Sequence, residues 1–220
     1  MSKIIVGTSN PGKIREIASI LSPLGHEIVP MAMDVDETGK TIQENAIIKA
    51  IAYSNANPDV YVIAEDSGLV IPALNGLPGP YSARFYSATL NADKEGKLYV
   101  SDMPKEEFTT DKSEHDKKNN ERIIHLIKEI PESNRTAFFE VSFTIAKNGE
   151  VLKTFEGKSY GHIIDELRGE NGFGYDPVFI GNDTFGKTYA ELDSARKNLR
   201  SHRKNALKEL GLWVADNIND

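Results

Sequence analysis

Residues 3–13 read KIIVGTSNPGK, and this stretch decides the fold. Lys3 to Thr8 is a short apolar run of the kind that forms a buried strand. Asn10 stands where a helix N-cap belongs and Pro11 falls at the first helical position, so a helix is expected to follow, to about Leu24. His26 to Pro30 reads as a second short strand. Thr41-Ile-Gln-Glu44 matches a capping box, and Ala46, Ile47, Ala50 and Ile51 supply the apolar stripe of the helix behind it. Val60 to Ala64 reads as another buried strand that delivers Glu65, Asp66 and Ser67 at its end, where Ser67-Gly68 is expected to turn the chain. The order strand, helix, strand, helix, strand is that of an α/β fold.

Further along, Asn119 to Ile130 reads as a helix. Thr136 to Ala146 and Val151 to Tyr160 read as strands joined at Lys147-Asn-Gly-Glu150, a strong hairpin signal. A glycine-rich loop spans Gly169 to Gly174, and Asp193 or Ser194 can cap a closing helical segment. Residues 86–122 hold nine acids and seven bases with few large apolar side chains, the pattern of a solvated surface insertion or hairpin.

A chain of 220 residues is one large domain or two small lobes and is long enough for a full core. It contains no cysteine, which excludes disulfides, zinc-thiolate sites, iron-sulfur clusters and thiol nucleophiles. No apolar run approaches ~18 residues, so no membrane span is expected. The opening Met-Ser-Lys-Ile-Ile-Val-Gly reads as a strand and not as a signal peptide, which points to a soluble, cytoplasmic protein. A net charge of -7 argues against non-specific nucleic-acid binding.

Five constellations carry candidate chemistry. The first is Thr8-Ser9-Asn10-Pro11-Gly12-Lys13, between a strand and a helix N-terminus, where free amides, the helix dipole and a lysine suit phosphate. Gly7 to Lys13 almost spells a Walker A loop, and Val60 to Asp66 imitates a Walker B strand. Ile14, however, stands where that loop needs a hydroxyl for magnesium. The second is acidic: Asp36 and Glu37 in a polar loop, Glu65 and Asp66 on the buried strand. Magnesium takes one or two carboxylates together with substrate phosphates. Most of the 33 acids only solvate the surface; Asp66 escapes that explanation best. Glu44 is accounted for by its capping box.

The third is the rigid loop Gly76-Leu-Pro-Gly-Pro-Tyr-Ser-Ala-Arg84, which suits a surface turn as well as a ligand contact. The fourth is Gly172-Phe-Gly-Tyr-Asp-Pro177, where two glycines let the backbone approach a flat ligand and Phe173 either stacks on a base or packs in the core. The fifth is Lys197-Asn-Leu-Arg-Ser-His-Arg203. On one unbroken helix Lys197 and His202 lie about 140° apart, so serving one site requires a break, with Ser201 as a new N-cap.

Taken in order, Thr8 to Lys13, Asp36-Glu-Thr-Gly39, Glu44-Asn-Ala, Asp66-Ser-Gly-Leu69, Pro78 to Arg84, Gly172 to Pro177 and Ser201-His-Arg203 closely resemble the inosine triphosphate pyrophosphatase family, from Lys3 to about Leu210. Residues 86–111 depart from the pattern as an insertion in an otherwise single domain spanning 1–220. The resemblance implies an elongated mixed β-sheet with flanking helices, two lobes around a central cleft, and a homodimer. It implies magnesium-dependent hydrolysis of ITP, dITP and XTP to the monophosphate and pyrophosphate. By position, Thr8, Ser9, Asn10, Pro11, Gly12, Lys13 and Lys197 would hold the triphosphate. Glu37, with or without Asp36, and Asp66 would bind magnesium, with Asp66 also the base. Ser67 would contact substrate, and Phe173, Gly174, Tyr175 and Asp176, with His202 and Arg203, would enclose the base. A P-loop phosphohydrolase and a non-catalytic nucleotide-binding module are the alternatives.

Overall fold

A computed structural model describes residues 2–104 and 112–218; the last part of the expected insertion, 105–111, lies outside the described residues. The chain divides into two compact units. The first comprises Met1–Ser67, Val141–Lys158 and His202–Asp220; the second comprises Gly68–Glu140 and Ser159–Ser201. The elements are β1 (Lys3–Gly7), α1 (Pro11–Leu21), β2 (Glu27–Met31), α2 (Ile42–Ala56), β3 (Tyr61–Val70), β4 (Thr89–Ala92), β5 (Leu98–Asp102), α3 (Lys112–Ile127), β6 (Thr136–Lys147), β7 (Glu150–Ile163), β8 (Phe179–Gly181), α4 (Ser194–Asn198) and α5 (His202–Asn217). Six strands form one sheet in the order β2-β1-β3-β6-β7-β8. β1 pairs parallel with β2 and β3, and β7 pairs antiparallel with β8, so the sheet is mixed. β4 and β5 form a separate antiparallel hairpin within the expected surface segment.

In the first unit, strand alternation sorts the core onto two faces. Ile4 and Val6 of β1 and Ile63 of β3 pack with Ile17 and Leu21 of α1 and with Leu207 and Leu210 of α5. Ile5 and Val62, one residue out of phase, pack with Tyr53 of α2, and Ala64 packs with Ala50. The same alternation carries on into Glu65, Asp66 and Ser67. The second unit has its own core, in which Leu69, Phe85, Ile123, Phe139, Phe179 and Tyr189 are buried together.

Several local expectations hold. Asn10 caps α1 with Pro11 behind it, Thr41 and Glu44 form the reciprocal capping box, and Asp193 caps α4. Asn148 and Gly149 both take positive φ in the β6–β7 turn, as a two-residue hairpin requires. Others need correction. No turn occurs at Ser67-Gly68: β3 continues through them to Val70. Gly68 suits the strand because a Cβ there would collide with the Gly79 carbonyl. α1 stops at Leu21, and Ser22–Leu24 form a single tighter turn ending at Gly25 in the left-handed region. α3 extends back beyond the expected start at Asn119 to Lys112; over 112–118 the buried residue is the polar His115, which apolar periodicity does not reveal.

α5 approaches β7 closely at Gly157, where an added Cβ would meet the carbonyl oxygen of His202. Gly157→Ala is expected to displace the start of α5 and to destabilise the protein by about 2 kcal/mol. Urea denaturation of the variant measures it.

Candidate active site

The loop from Thr8 to Lys13 is built by the Asn10 cap. The Asn10 carboxamide oxygen accepts from the amides of Gly12 (2.9 Å) and Lys13 (3.4 Å), and the Asn10 amide donates to the Thr8 hydroxyl at 3.1 Å. These contacts pre-form the turn and place Lys13 in the first turn of α1. The loop borders a cavity of about 230 Å³ whose wall also includes Glu37, Lys49, Tyr53 and Glu65. Tyr53 fixes the far wall: its hydroxyl accepts from the Met33 amide at 2.8 Å and donates to the Met33 carbonyl at 3.2 Å.

Successive residues of β3 send their side chains to opposite faces. Glu65 and Ser67 point to the α1 and α5 face. Glu65, only 4% exposed, pairs with Lys13 and lies 3.6 Å from the Arg203 Nε. Arg203 also donates to the Ser67 hydroxyl at 2.8 Å. Burial pushes the Glu65 carboxyl up, but Lys13 and Arg203 outweigh it and hold the pKa at about 2. Asp66 points to the α2 face. There Lys49 donates to Asp66 Oδ1 at 2.9 Å and to Glu37 Oε1 at 3.1 Å, and the Asn45 amide reaches Asp66 Oδ2 at 3.4 Å. Burial, with Glu37 and Glu65 adding to it, pushes Asp66 up to about 6 against the pull of Lys49. Lys49 is itself held above its ordinary pKa: Asp66 and Glu37 overcome its burial.

Glu37 and Asp66 therefore converge on one cationic point. Asp36 is exposed, and it is Glu37 that reaches Lys49. Among the described residues no group of three or more His, Cys, Asp or Glu side chains could hold a metal ion. A pair of hard oxygen donors beside a phosphate-sized cavity fits magnesium, which draws its other ligands from phosphates and water.

The second unit carries a cluster of its own. Gly172 and Gly174 take positive φ on either side of Phe173, which is 47% exposed. Asp176, buried, accepts from the Phe173 amide at 2.8 Å and pairs with Lys197. The Lys197 ammonium lies 4.3 Å from the centroid of the Phe173 ring. Tyr175 turns inward, its hydroxyl donating to the Ser82 carbonyl at 2.7 Å. α4 ends at Asn198 and α5 starts at His202, so the chain breaks between Lys197 and His202. His202 and Arg203 are buried in the first unit's part of the chain.

The sequence assigns no role to Lys49 or to the ion pairing of Glu65, and none to Asn45 although it stands in one of the resembling motifs. The signal was present: Asn45 and Lys49 are four apart, beside the buried stripe of Ala46, Ala50 and Tyr53, where a polar pair needs a partner.

A family model described as the Ham1 family matches residues 4–213. A dITP/XTP pyrophosphatase of Bacillus subtilis is 40% identical over 215 residues, 96% of each chain. One from Desulforamulus reducens is 37% identical over 212 residues, 94% of this chain and 92% of its own. A solved HAM1 protein from Coxiella burnetii matches with a TM-score of 0.79 at 30% identity, covering 98% of this chain and all of its own. The Staphylococcus aureus Ham1 protein matches at 0.77 and 32% identity, covering 98% and 99%.

The raised pKa of Asp66 has a thermodynamic consequence. Between its ordinary 3.8 and about 6 the folded state binds more protons there than the unfolded state. Stability contributed by the protonated carboxyl is full below the lower value and is lost as pH rises through the upper one. The metal-free wild type is expected to lose up to about 3 kcal/mol relative to Asp66→Asn over this window, read by urea denaturation in chelator.

Proposed function

Because this chain belongs to the Ham1 family, we propose that it hydrolyses non-standard purine nucleoside triphosphates (dITP, XTP and ITP) to the monophosphate and pyrophosphate. The observation that carries the reading is the pair Glu37 and Asp66, drawn onto one cationic point at a cavity that the Thr8–Lys13 loop also lines. A triphosphate carries about four negative charges, and hydrolysis at any phosphorus needs that charge neutralised where it develops. Lys13 and Lys49 supply cations from the protein. Magnesium, when bound by Glu37 and Asp66, supplies further charge and a polarised water.

The remaining steps belong to the chain. Asp66, ionised at neutral pH, accepts the proton of the attacking water. Asn45 fixes the second oxygen of that carboxylate, so the first is directed toward the cationic point. The ammonium groups of Lys13 and Lys49 exchange carboxylate partners for phosphate oxygens. No covalent nucleophile is required. In the second unit Phe173, Gly174 and Asp176 with Lys197 contribute substrate contacts, Phe173 offering its half-exposed ring to the base. Hypoxanthine and xanthine present a 6-oxo acceptor to backbone amides, whereas adenine presents a donor. A site built on such hydrogen bonds discriminates by roughly 10⁴-fold. Ser67, Tyr175, His202 and Arg203 complete the set of substrate contacts that the resemblance implies; it also implies a homodimer and a cytoplasmic location. No helix among the described residues is long and apolar enough to cross a membrane.

The test is a product assay with dITP, XTP, ITP, ATP and GTP in parallel, with magnesium and with chelator. Pyrophosphate is expected from the first three, only with magnesium. Orthophosphate released from all five would instead identify a γ-phosphate hydrolase of the P-loop kind. Asp66→Asn is expected to lower kcat by about 10³-fold while remaining folded; normal turnover would remove Asp66 as the base.

A further inference from the structure

α3 takes no part in the chemistry described above, yet it holds a loop that presents an aromatic ring between two left-handed glycines. The Gly174 amide donates to Asp116 Oδ2 at 2.7 Å, and the Gly174 carbonyl accepts from Asn120 Nδ2 at 2.8 Å. Both polar groups of one glycine are thus held by side chains one helical turn apart. Asn120 is 2% exposed, and its amide also donates to the Asp116 carbonyl at 2.7 Å, which fixes the direction of its Nδ2. The platform is itself anchored: Asn119 accepts from the Tyr86 amide and donates to the Ala83 carbonyl, while Arg122 donates to the carbonyls of Tyr86 and Ala88.

On its other side, Phe173 is held by Asp176, which accepts from the Phe173 amide at 2.8 Å. A Cβ on Gly172 would collide with that carboxylate. The ring is therefore clamped through its backbone, from Asp176 on one flank and from α3 on the other. Nearly half of the Phe173 surface is exposed and so open to a ligand. Lys112 and Lys197 stand 5.2 Å and 4.3 Å from the ring centroid.

We propose that Asp116 and Asn120 are positioning residues for purine recognition: by holding Gly174 they fix the Phe173 ring in the orientation that receives the base. The proposal rests on the nucleotide reading above. A carboxylate accepting from an amide is among the stronger hydrogen bonds, and losing it lets the loop sample orientations that bind no base. The loss falls on binding of the base and not on the phosphate chemistry, so it acts on KM and leaves kcat nearly unchanged.

The experiment is a double-mutant cycle between Asp116→Ala and Phe173→Ala, read as KM and kcat for dITP, with inorganic triphosphate as a competitive inhibitor that has no base. Asp116→Ala is expected to raise KM for dITP about tenfold, to change kcat by less than about threefold, and to leave the triphosphate inhibition constant within about twofold. In the Phe173→Ala background the same substitution is expected to add less than about twofold. Asp116→Asn, which keeps an acceptor oxygen, is expected to restore KM to within about threefold of wild type. An unchanged KM, a parallel rise in the triphosphate inhibition constant, or full additivity with Phe173→Ala would overturn the proposal. If Asp116→Ala does not fold, Asn120→Ala carries the same comparison; loss of the fold in both would also overturn it, since the contacts would then hold the fold and not the ring. A wild type that releases no pyrophosphate from dITP would instead sink the nucleotide reading itself.

Discussion

The buried carboxylate of Glu65 is the interaction on which the rest of the first unit's site depends. An isolated charge at 4% exposure would cost several kcal/mol, so its neighbours must supply compensation. They do so from two helices: Lys13 from the first turn of α1 and Arg203 from the first turn of α5. One residue on, Asp66 makes the same demand on the opposite face and is answered by Lys49 of α2. Three helices are thereby registered against one strand by charge. Glu37, Glu65 and Asp66 stand against Lys13, Lys49 and Arg203, three formal negative charges against three positive.

That balance explains how a site can be both stable without ligand and reactive with one. Each cation already has an anionic partner of the protein's own, so no charge is left uncompensated. On the proposed reading an incoming polyphosphate would take up Lys13 and Lys49, which would leave the carboxylates of Glu37 and Asp66 for a divalent cation. The charged groups are in place before any substrate arrives, which keeps the cost of reorganisation low. In the second unit, by contrast, precision comes from hydrogen bonds to a backbone. Gly172 and Gly174 supply left-handed geometry, and side chains from α3 and from Asp176 capture the amides around Phe173.

What could be read from the sequence follows from the range of the forces involved. The caps at Asn10, Thr41 and Asp193 are local, decided within four residues, and they were legible. So was the Asn148-Gly149 turn. The continuation of β3 through Ser67-Gly68 was not, because Gly68 there answers to a backbone approach from Gly79, eleven residues away. The first two turns of α3 are hidden because the buried residue there, His115, is polar and because His115 and Asp116 find their partners, Tyr86 and Gly174, far away in the chain. Asp66 and Glu37 are legible as carboxylates with a purpose; Lys49, which joins them, lies between them in space but not in any motif. The resemblance places Arg203 at the base; without substrate it reaches Glu65 and Ser67, which no local pattern shows.

In the proposed reaction water, deprotonated by Asp66, attacks the α-phosphorus of the nucleotide. Hydrolysis of dITP in oxygen-18 water tests it most directly, with the products separated and weighed by mass spectrometry. Attack at the α-phosphorus puts one heavy oxygen in the nucleoside monophosphate and none in the pyrophosphate. Heavy oxygen in pyrophosphate, or in orthophosphate released from the γ-position, would contradict it.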